Sequence, residues 1–149
     1  GICADIVETC YDLNRTAQPY RYSLEFWKVG TTMPIVKLKE VPKLQFPNGA
    51  TYQTIVGDEA GSTPVRVGVQ VSPPGYSTGT HSHPYMEIVS IIEGEGEAWM
   101  DGTDGVIAIG PGTTLVLPPN VKHGFRVTGS VPLKTYGVHA SSTRIVARE

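Results

Sequence analysis

Turn-forming residues recur at short intervals along most of this sequence and leave only short segments between them. Glycine and proline supply 17 and 12 of the 149 residues, in clusters such as FPNGA, SPPG, EGEG, DGTDG and LPPN. The segments between them are rich in Val, Ile and Thr, as in VRVGVQV, MEIVSII and TTLVL. Short β-branched segments bounded by such turns are typical of strands in a sandwich or barrel. The sequence therefore predicts an all-β fold from about residue 35 onward.

The start of the chain has a different pattern. Ile6, Cys10 and Leu13 recur at helical spacing, which predicts a short N-terminal helix. We therefore divide the chain into an N-terminal extension, residues 1–32, and a single barrel domain, residues 33–149. Two roles remain open for the extension, since it can lie across the barrel or a partner subunit, or simply precede the domain.

Charge and hydropathy argue against two classes of function. The formal net charge is −2 and there is no basic stripe, so we expect no nucleic-acid partner. The apolar runs are far shorter than the roughly 20 residues of a membrane-spanning helix, and no secretory signal pattern is present. Cys3 and Cys10 form neither a CxxC pair nor a disulfide framework. This favours reduced thiols and a cytoplasmic protein.

Three of the four histidines accompany one carboxylate in a pattern that predicts a metal site. Side chains alternate along a strand, so His81, His83 and Glu87 point to the same side. Pro84 favours an extended backbone at His83 and so helps to fix its direction. His123 follows a later strand and a Pro-Pro-Asn turn. Three imidazoles and a carboxylate suit a divalent transition metal and leave positions open for water, substrate or dioxygen.

The same residues fall in a motif that closely resembles the first motif of the cupin superfamily. That motif is a glycine, five residues, His-x-His, three or four residues, a glutamate, six residues and a glycine. In this chain the anchors are Gly75, His81, His83, Glu87 and Gly94, at the same spacing. Every anchor of the first motif is therefore present.

A second segment resembles the second cupin motif with two differences. Gly112, Pro118 and His123 occupy their expected positions, whereas Asn120 replaces a turn glycine and Val127 replaces the final asparagine. Asparagine adopts positive φ more readily than most residues, so we expect the turn to be retained. The change at the last anchor affects a local turn contact rather than a metal ligand.

The resemblance covers about residues 60–140 and implies a double-stranded β-helix, the jelly-roll barrel of cupins. It identifies His81, His83, Glu87 and His123 as the ligands of one divalent transition metal. Iron is the favoured ion, with manganese, nickel, cobalt, copper and zinc as alternatives. It also implies a homodimer, because cupins of this size pair through sheet edges or exchanged strands, and exposed edges invite such pairing.

Further residues are expected to surround the metal. Tyr85 shares the side of the ligands, and Tyr136 lies near the last strand, so both are candidate catalytic residues. His139 is expected to be structural or exposed because four ligands already complete the set. Arg66 is expected to face solvent. The expected walls of the substrate pocket are apolar: Val89, Ile91, Met100 and Phe125.

These observations favour a metal-dependent enzyme that acts on a small organic substrate. The resemblance ranks a dioxygenase above an isomerase or lyase, although no residue selects the reaction. Val89 stands where the cupin lyases that cleave dimethylsulfoniopropionate carry a tyrosine, which argues against that activity. The alternative is a non-catalytic module that binds a small ligand or a sugar.

Overall fold

The computed structural model describes residues 35–61 and 63–148. The predicted N-terminal helix and the extension, residues 1–32, lie outside this part of the chain and stay predictions. No helix of the described part has the length and apolar character needed to cross a membrane.

Short strands connected by tight turns make up the described chain, as the spacing of glycine and proline predicts. Single turns of 3₁₀ helix occur at Leu38–Glu40 and Pro47–Gly49. The strands are β1 Leu44–Gln45, β2 Thr51–Val56, β3 Arg66–Ser72, β4 His81–Ser82, β5 Glu87–Glu93, β6 Gly96–Met100, β7 Ile107–Ile109, β8 Thr114–Leu117, β9 His123–Val127, β10 Leu133–His139 and β11 Ala147–Arg148.

The strands form two antiparallel sheets. One sheet has six strands in the order β1-β2-β3-β10-β5-β8, and the other has five in the order β11-β4-β9-β6-β7. Consecutive strands such as β3 and β4, or β5 and β6, fall in different sheets, so the chain passes repeatedly from one sheet to the other. This is the double-stranded β-helix of a jelly roll, and the predicted all-β fold is confirmed.

Alternating side chains of the two sheets form the hydrophobic core. Leu133 is fully buried, and each large aliphatic residue buried in this way contributes roughly 1.5–3 kcal/mol to folding. Tyr76, Met100, Leu115 and Phe125 are partly buried and pack against the core. The buried cluster consists of Val89, Ile91, Ala98, Ile109, Leu117, Val127 and Leu133.

A turn residue in the second motif positions the strand that carries His123. Asn120 has a φ of 62°, which confirms that asparagine adopts the left-handed conformation where the motif usually has glycine. The Asn120 backbone N–H also donates to the carbonyl oxygen of His83, 2.7 Å away. The turn before β9 is therefore tied to the chain segment that carries two of the predicted metal ligands.

Candidate metal centre

The four predicted ligands lie in or directly after three strands, β4, β5 and β9, and meet inside the barrel. His81 in β4 pairs directly with His123 in β9, and Glu87 begins β5 in the opposite sheet. His83 follows β4 and is 2% exposed. One ligand atom from each of these four residues lies within 4.8 Å of all the others. The structure therefore brings together the full set of ligands that the sequence predicts.

Backbone carbonyl groups fix the orientation of all three imidazole rings. Each ring has its Nδ1 within hydrogen-bonding distance of a carbonyl oxygen, which leaves Nε2 as the nitrogen that can bind a metal once it is deprotonated. Such second hydrogen bonds are the usual support of metal-bound histidines. The acceptors are Gly79 for His81 at 3.0 Å, Ile145 for His83 at 2.5 Å and Val121 for His123 at 2.8 Å.

The distances around Glu87 suit a shared metal ion. Its Oε2 lies 3.1 Å from Nε2 of His83 and 3.2 Å from Nε2 of His123. Two donors that bind one metal at right angles, each at about 2.1 Å, are separated by about 3 Å. Three nitrogens and one oxygen without a thiolate suit iron, manganese, cobalt, nickel, copper or zinc. The residues therefore fit a divalent transition metal.

His81 and Glu87 have the protonation states that metal binding needs, a neutral imidazole and an ionised carboxylate. Burial lowers the pKa of His81 to about 4, so this ring is neutral at physiological pH. Burial would raise the pKa of Glu87, but the hydrogen bonds from His123 and His83 outweigh it and hold the pKa below its usual range. Burial would lower the pKa of His123, but the hydrogen bond to Glu87 raises it.

His139 lies beside the four-residue cluster and lines the same cavity. It faces Glu87 across β10 and β5, and its Nε2 is 3.4 Å from Oε1 of Glu87. Burial lowers the pKa of His139 to about 4, and no described residue accepts or donates a hydrogen bond at its Nδ1. The ring therefore supports the second carboxylate oxygen of a ligand, which agrees with a structural role.

A cavity lies beside the ligands. Its interior volume is about 50 Å³, and it opens to solvent at its mouth. Val89 and Phe125 line it, as predicted. Ile91 is 2% exposed and belongs to the core cluster, and Met100 packs against that cluster. These two side chains are not among the described residues that line the cavity, because they lie deeper between the sheets.

The two tyrosines predicted as catalytic residues lie away from the cavity. Tyr85 stacks against His83 with 5.2 Å between ring centroids, and its hydroxyl donates to the carbonyl of Ile145 and accepts from the N–H of that residue. Tyr136 is 40% exposed, because Thr135 and Gly137 on either side of it point into the cavity. Neither tyrosine is among the described residues that line the cavity, so neither position supports contact with a substrate.

A third tyrosine, which the sequence analysis did not identify, does face the cavity. Tyr52 in β2 is 5% exposed, and its hydroxyl has no hydrogen-bond partner among the described residues. Burial raises the pKa of Tyr52, although the nearby charge of Arg66 partly offsets this. The ring covers Gly68 in β3, where a Cβ atom would overlap the phenol. A glycine inside an otherwise valine-rich strand is the signal of such a close approach.

Arg66 is buried, so the expectation that it faces solvent is wrong. It is 7% exposed, and its guanidinium donates to Glu59 at 3.0 Å and to the carbonyl of Ser142 at 3.2 Å. It occupies the inward side of β3, the side that carries Gly68 and Gln70. The strict alternation of β3 could not show which of its two sides faces the interior.

A buried three-histidine, one-glutamate cluster inside two antiparallel sheets defines a jelly-roll protein with a site for a divalent metal. Comparisons with known proteins agree with this class. The cupin domain model matches residues 68–139. Protein SchB of Streptomyces halstedii is 34% identical over 98 residues, which cover 65% of this chain and 70% of SchB. The chain belongs to the cupin family.

Solved structures share the fold at lower sequence identity. A predicted oxalate decarboxylase from Thermotoga maritima superposes with a TM-score of 0.64 and 24% identity, over 71% of this chain and 97% of that one. The polyketide cyclase RemF from Streptomyces resistomycificus gives a TM-score of 0.66 and 19% identity, over 78% of this chain and 85% of that one. At these identities the likeness establishes the fold alone.

Proposed function

We propose that this cupin is a metal-dependent enzyme acting on a small organic molecule. The observation that carries the proposal is that three imidazoles are each held by a backbone carbonyl, with Nε2 of His83 and Nε2 of His123 directed at Glu87. These ligands adjoin a cavity that combines apolar side chains, such as Val89 and Leu117, with polar ones, such as Gln70 and Thr135. Four protein ligands leave two positions of an octahedral metal for substrate oxygens.

Acid–base chemistry on an oxygen-bearing substrate is the reaction type that the cavity supports best. When bound, the metal would supply a Lewis acid that polarises a substrate oxygen. Tyr52 keeps its proton at neutral pH because burial raises its pKa. Its hydroxyl, which has no partner among the described residues, can donate a hydrogen bond or a proton to that oxygen. Isomerases, lyases and cyclases use such groups, and RemF carries the name of a polyketide cyclase.

Oxygen-dependent, dioxygenase-like chemistry is the second candidate, and it favours iron as the metal. The observation that favours it is the apolar wall close to the ligands, where Val89 and Leu117 line the cavity within the core cluster. An apolar surface beside open metal positions excludes water from an oxygen-sensitive reaction. The acid–base reading has the additional support of Tyr52, which oxygen chemistry does not require.

Metal analysis of protein purified without added metal or chelator is the experiment that tests the proposal. We expect about one equivalent of metal per chain in the wild type and a large loss in His83→Ala. His139→Gln is the matched control, because it removes a buried histidine outside the ligand set; its loss of metal should be far smaller, at most the roughly tenfold drop in affinity expected for a partner that orients a ligand. Wild-type protein that takes up neither iron, manganese nor zinc would overturn the proposal and favour the ligand-binding module.

Anaerobic and aerobic assays of the metal-loaded protein separate the two reaction types. Turnover of a substrate under nitrogen, reduced strongly in Tyr52→Phe, would support acid–base chemistry. Turnover that requires oxygen and survives in Tyr52→Phe would support the dioxygenase-like candidate.

A further inference from the structure

Two arginines of the C-terminal segment stand at the mouth of the cavity. Arg148 in β11 lies opposite His81 in β4, and its guanidinium donates to the carbonyl of Thr78 at 2.9 Å. The guanidinium of Arg144 lies 5.2 Å from the centroid of the Phe46 ring. Both arginines line the cavity and a neighbouring depression at its mouth. Their side chains are therefore held in place beside the entrance to the metal site.

The charges around the entrance are unbalanced. Among the described residues that line the cavity and the depression, the only carboxylate is that of Glu87. That carboxylate is already engaged with the buried histidines of the cluster. Neither Arg144 nor Arg148 forms an ion pair with a described acidic residue at the mouth. Two positive charges near one opening favour the entry of an anion.

The wall between the arginines and the metal ligands is apolar and aromatic. Tyr76 and Phe125 lie with their ring centroids 6.2 Å apart. Both line the cavity, together with Val89 and Leu115. Such a surface suits a planar body that contacts aromatic and branched side chains.

We propose, on the basis of the function proposed above, that the substrate is a planar, largely apolar carboxylate. Its carboxylate group binds Arg144 and Arg148 at the mouth, because guanidinium groups match carboxylates in charge and in geometry. Its body lies against Tyr76 and Phe125, and oxygen atoms at the other end reach the metal ligands. The two arginines thus select the charge of the substrate, whereas the buried cluster takes part in the reaction.

A pair of probes that differ in one charge tests this assignment. Protein loaded with zinc, which is redox-inert, is titrated calorimetrically with 3,4-dihydroxybenzoate and with the uncharged 3,4-dihydroxybenzamide. We expect the acid to bind about tenfold more tightly than the amide at low ionic strength, as one or two exposed charge-assisted contacts would give. The difference should shrink as salt is added, because both arginines are exposed.

Two double variants that remove the same number of positive charges show which residues cause the preference for the acid. In Arg144→Gln/Arg148→Gln the preference for the acid should disappear, while the affinity for the amide stays the same. The control Lys39→Gln/Lys134→Gln removes the same number of charges from surfaces away from the cavity and should keep the preference. Loss of the preference in the lysine variant would overturn the proposal, because it would reveal an effect of net charge alone.

The outcomes distinguish this proposal from the one on which it rests. Equal binding of both probes, lost in His83→Ala, would overturn the carboxylate assignment and leave the metal-dependent function in place. Absence of binding by either probe to zinc-loaded protein would also overturn the assignment. A preference for the acid that depends on the arginines, with affinities for both probes that are the same in zinc-loaded and metal-free protein, would support the arginine site and contradict contact between the bound molecule and the metal.

Discussion

Nδ1 of His83 lies 2.5 Å from the carbonyl oxygen of Ile145, a residue 62 positions further along the chain. The hydroxyl of Tyr85 donates to the same carbonyl at 3.2 Å and accepts from the N–H of Ile145 at 2.9 Å. The C-terminal segment therefore fixes the ring of a predicted metal ligand, and Tyr85 fixes the segment. Tyr85, which lies outside the cavity, therefore acts on the metal site through the backbone of Ile145.

Loss of the Tyr85 hydroxyl should weaken metal binding although no ligand is removed. We expect Tyr85→Phe to lower the affinity for zinc about tenfold, the lower end of the effect of losing a partner that orients a ligand. Competition with a chromogenic chelator measures this. Tyr136→Phe is the matched control, since it removes a hydroxyl from an exposed side chain. Equal affinities of the two variants would contradict the positioning role of Tyr85.

The metal-free protein should lose stability as the pH falls from about 6.5 to about 4. His139 has a folded pKa of about 4 because of burial, against 6.5 when unfolded, so the unfolded chain takes up the proton first. The stability that this ring contributes is present above pH 6.5 and is lost on acidification. His81 acts in the same direction. The raised pKa of His123 gives stability that is fully present below pH 6.5 and is lost as the pH rises above it, so this ring adds no further change on acidification below pH 6.5.

Urea unfolding in chelator at several pH values measures this dependence. The free energy of unfolding should fall by roughly 1–3 kcal/mol between pH 7 and pH 5. The free energy of unfolding should change less steeply with pH in His139→Gln, because the glutamine side chain does not titrate. Parallel curves for wild type and variant would show that His139 titrates at its ordinary value in the folded protein.

The homodimer stays a prediction, and the outer side of the six-stranded sheet is where we expect the second copy. Val116 in β8 is 56% exposed and pairs with Ile88 in β5, and Tyr136, which is 40% exposed, lies in β10 on the other side of β5. Exposed apolar side chains that share one side of a sheet are typical of an interface. Val116→Lys/Tyr136→Lys should give a monomer in light scattering, whereas Val131→Lys in an exposed loop should remain dimeric. A monomeric wild type would refute the prediction.

The sequence predicts the fold and the ligands because both depend on local patterns. Turn residues at short intervals specify strands, and the alternation of side chains puts His81, His83 and Glu87 on one side. The position of His123 relative to them depends on pairing between distant strands, which only the second motif indicates. The structure confirms that pairing, with His81 and His123 in direct register.

The rest of the site depends on contacts that no local pattern contains. The alternation of side chains shows that Tyr136 faces the opposite side of β10 from Thr135 and Gly137. It does not show which of these two sides faces the cavity, because that depends on the pairing of β10 with β3 and β5. Ile91 shares the side of Val89, yet it lies deep in the core because the cavity ends before it. Arg144 and Arg148 reach the site only because β11 pairs with β4. The alternation of side chains along a strand predicts which side of the sheet a residue faces, whereas its depth along the barrel depends on the tertiary packing.

Removal of the Tyr52 hydroxyl should leave the stability of the ligand-free protein almost unchanged. A buried hydroxyl without a partner contributes no hydrogen bond to folding, so Tyr52→Phe should change the free energy of unfolding by less than about 0.5 kcal/mol or increase it. Tyr85→Phe removes a hydroxyl with two hydrogen bonds and should cost about 1 kcal/mol. Urea unfolding of both variants at neutral pH makes the comparison.

Gly68→Ala tests the same arrangement from the opposite side. Its Cβ would overlap the Tyr52 phenol and lie 2.8 Å from the carbonyl oxygen of Gln53, so we expect a loss of about 1–3 kcal/mol. Gly137→Ala is the control, because the nearest atom to its Cβ would be 4.0 Å away. Full stability of Gly68→Ala, or a clear loss in Tyr52→Phe, would show that the hydroxyl is not held over Gly68 toward the cavity. The acid–base reading of the site would then lose the group on which it depends.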